Sequence, residues 1–500
     1  MSAGLSLVVA WLMTISAAFS GVTEQDLWYR ITIRDAPCGY LHETVRESPT
    51  RIRTESLEHL RIDRGGTVVE LSQGTTFEED QRGTPLSATV RIDTGGRPVR
   101  HEYDFPEGHP RALSRESGGQ SAREDANDAW LTPSEVRAFL KARIAAGATR
   151  VTYRTLDPYA GMRLVEIELT RVGSERREVL GRTLELGRWR MRSDGSSILV
   201  EELRTAEGIL VSSVADVGLG MMTVELVDRE TALRALDAPP PELLDATLVP
   251  IRNMVGRTDD AVTAGYRVFF DTDRSWELPD SGSQHVRTLR PGGFEVTIDA
   301  ASGSTASAQE LADPALRSAS AYIDIDDPGV RRFFRELEKR PGDTTLEACD
   351  RLRVAVARQV SNKTFGVAFG SASDALRSRS GDCTEHAVLL AAGFRLAGLP
   401  ARIATGLVHA PASGFEHGAF AWHMWTQVLI DGLWWDFDAT RKNRFDAGHL
   451  LVSTSSLDGG TGERALSEML LLLGRMRVEV ICVDGLVLDE KPTDGRGDDR

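Results

Sequence analysis

The sequence is poor in cysteine and in positive charge, and these two shortages exclude several classes of protein. Its 500 residues contain only four cysteines, which is too few for a disulfide framework. Lysine and arginine together number 59 against 74 acidic residues, so the net charge of −15 argues against a nucleic-acid partner. No C-x-x-C pair, heptad repeat or low-complexity block occurs. A cysteine-stapled scaffold, a coiled coil and a nucleic-acid-binding protein are therefore not expected.

The apolar run near the N-terminus is shorter than an ordinary membrane span. It extends from Leu5 to Phe19, about 15 residues, whereas a spanning helix needs about 20. Ala18-Phe19-Ser20 forms a small-x-small cleavage site before Gly21. We predict a signal peptide over residues 1–20 and an exported protein, periplasmic, in the cell envelope or secreted. An uncleaved membrane anchor is the alternative.

The chain is too long for one ordinary core, and its residue patterns divide it into segments. Strand patterns dominate before residue 237, and a helical pattern begins at Asp327. The predicted fold class is α+β. The expected segments are a signal peptide (1–20), a β-rich region with one inserted helix (21–237), a linker and small β region (238–326), a C-terminal domain (327–486) and a disordered tail (487–500).

Two stretches of the N-terminal half carry strand patterns, residues 28–103 and 151–226. Between them the segment Thr132–Glu135 (TPSE) forms a capping box with proline at the first helical position. This predicts a helix that ends near Ala146. The two stretches have similar lengths, so they are either a repeat or two halves of one twisted sheet.

Cys383 lies where a helix is predicted to begin. Asp382 and Glu385 form a capping box, and the apolar run from Ala387 to Ala397 continues the helix. Gly398 is typical of the residue just past a helix end. In the first turn, unpaired backbone N–H groups and the positive end of the helix dipole favour a thiolate. We interpret Cys383 as a candidate nucleophile rather than as a small core residue.

The dipeptide Asp431-Gly432 predicts a two-residue turn between two strands. If the residues on either side of the turn pair, His423 and Asp438 become diagonal neighbours, about 7–8 Å apart at the backbone. Asp436 lies on the same face but one step further from His423, so Asp438 is the better partner for the imidazole. The opposite face is almost wholly apolar and is expected to pack on the core. A shift of register by one residue would overturn this arrangement.

Three motifs in this region resemble the transglutaminase-like superfamily. They are GDCTEHAVLLAA (381–392), GLPARIATGL (398–407) and WHMWTQVLIDGLWWDFDAT (422–440). The resemblance extends from about Asp327 to Val483. It implies a papain-like core, in which the helix that bears the cysteine packs on an antiparallel sheet. It also implies Cys383 as nucleophile, His423 as base and Asp438 as the residue that orients the base.

The resemblance implies a cysteine-dependent amide or peptide hydrolase, or an acyltransferase, that acts in the cell envelope. The expected substrate is a protein or a peptide, and no cofactor or metal is expected. The calcium-binding acidic loops of the animal enzymes have no obvious counterpart, so calcium activation is not expected. The backbone N–H of Cys383 is expected to contribute to the oxyanion hole. Asn362 is a candidate for a side-chain donor.

Two other functions stay open at this stage. The first is a zinc site, for which cysteine and histidine are suitable ligands. Its candidate ligands are Cys383, His386, His409, His417 and His423. The second is a non-catalytic envelope-binding or scaffold protein built on the same fold, which the intact cysteine, histidine and aspartate argue against.

The tryptophans of the hairpin have two alternatives each. Trp425 shares the face of His423, so it is a candidate for substrate binding as a groove wall, or else a packing residue. Trp434 and Trp435 must point to opposite faces of their strand. We expect Trp435 in the core and leave Trp434 open.

Overall fold

The computed structural model describes residues 24–63, 65–93, 98–113, 129–194, 196–251, 258, 260–271, 276–289, 293–335, 342–364, 370–410, 415, 418–458 and 472–488. The predicted signal peptide and the predicted tail beyond residue 488 lie outside these ranges. So does most of a helix that the sequence pattern predicts near residues 463–473. Within the described ranges, no helix has both the length and the apolar composition needed to cross a membrane.

The β-rich N-terminal region folds into one large antiparallel sheet. Its strands are β1 (Glu24–Ile33), β2 (Ala36–Glu47), β3 (Arg51–Asp63), β4 (Val68–Asp80), β5 (Pro85–Asp93), β6 (Val99–Asp104), β7 (Arg111–Ala112), β8 (Arg150–Asp157), β9 (Arg163–Val179), β10 (Arg182–Ser193), β11 (Ser196–Arg204), β12 (Leu210–Asp216) and β13 (Met221–Val227). Among the described residues, the order across the sheet is β7-β6-β5-β4-β3-β2-β1-β13-β12-β11-β10-β9-β8.

The two β-rich stretches are therefore two halves of one sheet. Strand β1 pairs with β13, and the pairs run from Trp28 with Val227 to Ile33 with Met222. Within each half, every strand pairs with its neighbour in sequence, because short turns favour antiparallel neighbours. Of the two alternatives left open by the sequence, this topology favours the single sheet.

The helices of the described residues begin with the one inserted in the N-terminal region. They are α1 (Pro133–Ala145), α2 (Arg229–Arg234), α3 (Ala308–Ala312), α4 (Pro328–Arg335), α5 (Thr345–Gln359), α6 (Ala372–Ser378) and α7 (Cys383–Leu396). Helix α1 begins as predicted, with Thr132 as N-cap and a reciprocal hydrogen bond from Glu135. Its buried residues Val136 and Leu140 pack on the large sheet.

The described residues of the C-terminal half form two further sheets and a short parallel pair. The strands are β14 (Val249–Pro250), β15 (Thr263–Phe270), β16 (Gln284–Leu289), β17 (Gly293–Asp299), β18 (Ser304–Thr305), β19 (Asn362–Lys363), β20 (Ser380–Gly381), β21 (Ala401–Ala410), β22 (Ala419–Ile430), β23 (Leu433–Phe437), β24 (His449–Ser455), β25 (Met476–Val483) and β26 (Leu486–Val487). In the described residues, one sheet has the order β18-β23-β22-β21-β24 with β14 on β22. The other has the order β16-β17-β15-β25-β26.

Strands of the segment 238–326 pair with strands of the C-terminal domain. Strands β14 and β18 pair with β22 and β23 of the hairpin sheet, and β15 pairs with β25 near the C-terminus. The segment that the sequence suggested as a linker and small β region thus shares both sheets with residues 327–486. Pairing between strands so far apart in the chain leaves no local pattern that a sequence could reveal.

Helix α7 lies against the hairpin sheet. The hydroxyl of Thr426 on β22 donates to the backbone oxygen of Ala387 at 3.0 Å. Phe394 on the helix contacts Phe437 on β23, with ring centroids 5.5 Å apart. As predicted, the apolar face of the hairpin packs on the core. The helix that starts at Cys383 therefore has a fixed position relative to the hairpin.

Candidate active site

Cys383 is the first residue of helix α7. The carboxylate of the N-cap, Asp382, accepts from the backbone N–H of Thr384 at 2.9 Å. The carboxylate of Glu385 in turn accepts from the backbone N–H of Asp382 at 2.8 Å, so the predicted capping box is confirmed. The side chain of Cys383 is partly exposed. The cysteine thus lies in the electropositive first turn of a buried helix and is accessible from solvent.

The turn of the hairpin is also as predicted. Asp431 and Gly432 both have positive φ, 52° and 81°, which is the backbone of a type I′ turn. The flanking residues Ile430 and Leu433 pair, and the register continues to Thr426 opposite Phe437. The same register places Trp425 and Asp438 at facing positions just beyond the last pair. The predicted register is therefore confirmed.

His423 and Asp438 are hydrogen-bonded. Nε2 of His423 lies 2.8 Å from Oδ2 of Asp438. Because a carboxylate can only accept, Nε2 carries the proton in this contact. The other ring nitrogen, Nδ1, is then the one that can exchange a proton with a substrate or a thiol. The sequence prediction that Asp438 rather than Asp436 contacts the imidazole agrees with this geometry.

Asp438 is a deeply buried carboxylate, 1 % exposed, with both oxygens engaged. Oδ1 accepts from the backbone N–H and the hydroxyl of Thr440, at 2.8 and 2.7 Å. Oδ2 accepts from His423 and also from Nε2 of His449, at 3.1 Å. Burial alone would raise the pKa of Asp438, but the two histidines outweigh it and hold this pKa well below its usual range. Asp438 is therefore ionised and fixed in orientation.

His449 is a residue that the sequence reasoning missed. It is the first residue of β24, where the sequence pattern indicated only a strand. Its Nδ1 lies 3.0 Å from a carboxylate oxygen of Asp446, three residues earlier in the chain. An aspartate three residues before a histidine at a strand start is a weak signal, and nothing local ties it to the hairpin. Only the pairing of β24 with β21 brings His449 to Asp438.

Trp425 packs beside the imidazole instead of lining an open groove. Its side chain is only 2 % exposed, and its indole N–H donates to Asp436 at 2.7 Å. Its ring lies 6.3 Å from that of His423 and 5.3 Å from that of His449, measured between centroids. Of the two alternatives for Trp425, this burial favours packing, since almost no ring surface is left for a substrate.

Trp434, which the sequence left open, is the more buried of the tandem tryptophans, and Trp435 packs against the main core as expected. Trp434 is 1 % exposed, whereas Trp435 is partly exposed at the edge of the main core. The guanidinium of Arg402 covers the Trp434 ring at 3.9 Å. Ala306, directly after β18, and Leu316, in a short 3-10 turn further along the chain, pack in one cluster with the ring. Ala306 and Leu316 belong to the segment 238–326, whose position the sequence did not indicate.

His386 makes its hydrogen bond within its own helix start. It is buried on α7, and its Nδ1 contacts the backbone oxygen of Asp382 at 2.6 Å. Burial lowers its pKa, so it packs as a neutral ring. Asn362, the candidate oxyanion donor, has an exposed side chain. Its backbone pairs with Ser380 in the short parallel ladder that leads to Cys383.

The predicted zinc ligands do not assemble in the described residues. His417 lies outside them. The one group of three potential ligands within them is His423, Asp438 and His449, whose ligand atoms lie within 4.8 Å of one another. Both histidines lie within hydrogen-bond distance of the same carboxylate oxygen, at 2.8 and 3.1 Å. Hydrogen bonding accounts for this cluster.

Most residues of this site lie within a segment that matches a known protein family. Residues 332–439 match the family model of the transglutaminase-like superfamily. The chain carries a transglutaminase-like domain. The matched residues include Cys383, His423 and Asp438 and end before His449. No curated protein matches the chain.

Three solved structures that match this chain are distant from it in sequence and in structure. A β-barrel-like protein of a domain of unknown function from Brucella abortus is 14% identical, with a TM-score of 0.32, over 41% of this chain and 96% of its own. A protein from Cytophaga hutchinsonii proposed to be a cysteine protease is 17% identical, with a TM-score of 0.27, over 44% and 81%. The periplasmic domain of TgpA from Pseudomonas aeruginosa, bound to ethylmercury, is 16% identical, with a TM-score of 0.25, over 38% and 74%.

Proposed function

We propose that this protein is a cysteine-dependent amide or peptide hydrolase, or an acyltransferase, with Cys383 as nucleophile, His423 as base and Asp438 as the orienting residue. The observation that supports this most is the hydrogen bond from Nε2 of His423 to the buried carboxylate of Asp438. It lies in a transglutaminase-like domain whose cysteine opens a helix packed on the same hairpin. Nucleophile, base and orienter are the parts that thiol acyl transfer needs.

The first half of the reaction forms an acyl-enzyme. The Cys383 thiolate attacks the carbonyl carbon of a carboxamide or peptide bond, and a carbon–sulfur bond forms while the oxygen becomes an oxyanion. The backbone N–H of Cys383 is a donor for that oxyanion. When the oxyanion collapses, the carbon–nitrogen bond breaks, and His423 gives a proton from Nδ1 to the leaving amine. Asp438 holds Nε2 throughout, so the ring keeps one orientation and one tautomer.

The second half releases the acyl group. Water or an amine attacks the thioester carbon, and Nδ1 of His423 takes the proton of the attacking group. The carbon–sulfur bond breaks, and the thiolate of Cys383 returns. Water gives a carboxylic acid, so the protein is then a hydrolase; an amine gives a new amide, so the protein is then an acyltransferase. Both outcomes use the same residues.

We also propose that the protein is exported and acts on a protein or peptide of the cell envelope. The support is the short apolar run with its small-x-small site before Gly21. In a papain-like arrangement the substrate would lie across the start of α7. The large N-terminal sheet would then recognise the substrate polymer or shield the site.

The test is a chemical probe followed by substrate profiling. The purified full-length protein is incubated with an electrophilic amide-type probe, and the labelled residue is found by peptide mass spectrometry. A peptide library is then incubated with the protein, with and without a primary amine. Cleaved peptides indicate hydrolysis, and amine incorporation indicates transfer. We expect labelling at Cys383 and one of the two products.

Two variants control this test. Cys383→Ala should lose both the label and the product while keeping the fold. Ala372 lies on another helix, α6, and the Ala372→Gly variant should keep both the label and the product. A folded wild-type protein that forms neither label nor product would favour the alternative of a binding or scaffold protein on the same fold.

A further inference from the structure

His449 is a fully buried histidine held between two carboxylates. Its Nε2 lies 3.1 Å from Oδ2 of Asp438, and its Nδ1 lies 3.0 Å from Oδ1 of Asp446. Nδ1 is also 3.1 Å from the backbone oxygen of Asp446. The imidazole is 0 % exposed, and the ring of Phe445 covers it with centroids 4.2 Å apart. Each ring nitrogen therefore faces only acceptors.

This geometry requires a doubly protonated ring. A neutral imidazole has only one N–H. Its other nitrogen would then point a lone pair at the lone pairs of a carboxylate oxygen, which is repulsive. Only the imidazolium donates to Asp438 and Asp446 at once. Burial alone would lower the pKa of His449, but the hydrogen bonds to these two carboxylates raise it to about 9. His449 is therefore a cation at neutral pH.

We propose that His449 is a positioning residue of this site: clamped between Asp438 and Asp446, it holds the Asp438 carboxylate for His423 and places a fixed positive charge beside that base. The proposal rests on the proposed function, because the base it adjusts is His423. The two imidazoles share Oδ2 of Asp438, and their centroids are 5.7 Å apart. His449 lies beyond the segment that matches the family model, so the match does not assign it.

The fixed charge has a direct consequence for the proposed Cys383–His423 ion pair. A protonated His423 and a protonated His449 repel each other across one carboxylate. The repulsion makes it easier for His423 to give up its proton, which the general acid must do when the amine leaves. Without His449, Asp438 would serve His423 alone and would bind the proton of His423 more tightly.

Other charged or titratable groups around this pair come from several elements. Arg441 approaches Oδ2 of Asp438 at 3.9 Å, and its charge also acts on Asp446. The negative charge of Asp438 also acts on His386 of α7, but burial outweighs this and lowers the pKa of His386. Tyr266 of β15 also interacts with Asp446, and the backbone N–H of Asp260 donates to Asp446. Of all these groups, His449 is the one hydrogen-bonded to both carboxylates.

The experiment measures the rate at which iodoacetamide alkylates Cys383 in the full-length protein, as a function of pH. A thiol paired with an imidazole titrates in two coupled steps, and the upper step reports loss of the imidazolium proton. Removing the charge of His449 should move this upper step to higher pH, because His423 then keeps its proton longer. At 5.7 Å the shift should be about one to two pH units.

Two variants remove the charge in different ways. His449→Gln keeps a donor near Asp438 but carries no charge. Asp446→Asn keeps the imidazole of His449 in place and removes the carboxylate that helps to hold its second proton. His449→Gln should shift the upper step upward, and Asp446→Asn should shift it by less, because it also removes a negative charge. Phe445→Leu, which loosens the packing on the same ring without changing any charge, should lower the thermal midpoint and leave the step where it is.

The outcomes separate this inference from the proposed function. Alkylation needs no substrate, so the profile can be read even if no peptide is turned over. An upward shift in His449→Gln where it folds, with a smaller one in Asp446→Asn, supports the proposal. An unchanged or lowered step in folded His449→Gln, or in His449→Asn if the glutamine variant does not fold, overturns it, even if the wild-type protein proves to be an active hydrolase or transferase.

Discussion

The indole N–H of Trp425 donates a hydrogen bond to Asp436 at 2.7 Å. Asp436 also accepts from the backbone N–H and the hydroxyl of Ser283, at 2.8 and 2.9 Å. It therefore anchors the tryptophan beside His423 and ties the hairpin to the turn before β16. Asp438, two residues later, holds the imidazole itself. The two aspartates share one face of the hairpin. Asp436 holds the packing around Trp425, whereas Asp438 holds the imidazole of His423.

Substitution of these two aspartates should have different effects. Asp438→Ala should lower kcat/KM by about 10²–10⁴-fold, the scale expected when a triad orienter is lost. Asp436→Ala should lower it by less than about tenfold. It should instead destabilise the fold by about 1–3 kcal/mol, because the buried donors on Trp425 and Ser283 lose their acceptor. Steady-state kinetics and thermal unfolding of both variants check this.

Double substitution with the nucleophile provides the control for that comparison. Cys383→Ala should abolish acyl-enzyme formation, and adding Asp438→Ala should change nothing further, because residues of one catalytic unit are not additive. Rates are compared only between variants whose folding has been verified by circular dichroism. Equal losses of kcat/KM in Asp436→Ala and Asp438→Ala would show that Asp438 has no special role.

Cys383 should be the first cysteine to react with a thiol alkylator at neutral pH. The matched control is Cys482, which is also partly exposed but lies in strand β25, away from any helix start. Cys38 is buried, and burial raises its pKa to about 12, so it should react last. The order is read by mass spectrometry of peptides after timed labelling. Faster labelling of Cys482, or protection of Cys383 by stoichiometric zinc, would contradict the nucleophile assignment.

Stability of the N-terminal sheet should fall as the pH rises, partly because of Glu58. Burial raises the pKa of Glu58 to about 8, and a hydrogen bond from Gln73 only partly opposes this. Above about pH 4.5 the unfolded chain ionises this group while the folded chain keeps it protonated, so stability is lost up to about pH 8. Between pH 5 and pH 8, the Glu58→Gln variant should therefore lose less stability than the wild type, by roughly 1–4 kcal/mol.

The control for this prediction lies on the other face of the same strand. Glu55 forms ion pairs with Arg53 and Arg46, and they lower its pKa despite the opposing effect of partial burial. Glu55→Gln should give no gain in stability at pH 8. Urea unfolding of both variants at the two pH values tests the pair. A Glu58→Gln variant with the same pH dependence as the wild type would show that Glu58 is already ionised in the folded protein.

Gly406 allows Trp425 and β24 to approach β21 closely. A Cβ at this position would lie 2.0 Å from the backbone oxygen of Leu450 and 2.9 Å from the Trp425 ring. Gly406→Ala should therefore destabilise the domain by about 1–3 kcal/mol and also lower kcat/KM, because it displaces the ring beside His423. Gly74→Ala, in the large N-terminal sheet, is the control. Its Cβ would lie 3.1 Å from its nearest neighbour, the backbone oxygen of Ser56, so it should destabilise less than Gly406→Ala and leave kcat/KM unchanged. Thermal unfolding and kinetics of both variants are the measurements.

The mature protein should begin near Gly21. The short apolar run and the small-x-small site before it predict cleavage at that point. Intact-mass and N-terminal peptide analysis of the protein from its native source measures the start. Ala18→Arg, which disrupts the small-x-small site, should block the cleavage. Recovery of intact Met1 from a soluble cytosolic fraction would refute export.

Local residues determined much of the candidate site. Asp382 and Glu385 specify the start of α7, because a capping box involves residues only three apart. Asp431-Gly432 specifies the turn, and the alternation along its strands then specifies the register. From those two features the sequence alone predicts that His423 meets Asp438 and that Cys383 lies in a helix's first turn.

Only the tertiary structure decided what surrounds those residues. His449 reaches Asp438 through the pairing of β24 with β21, and Ser283 reaches Asp436 through the packing of one sheet on another. Trp425 and Trp434 are buried by segments distant in sequence, so their exposure could not be read from the hairpin. Capping and turn formation depend on neighbouring residues, whereas contacts between strands tens to hundreds of residues apart depend on the fit of whole surfaces, which leaves no periodic trace in the chain.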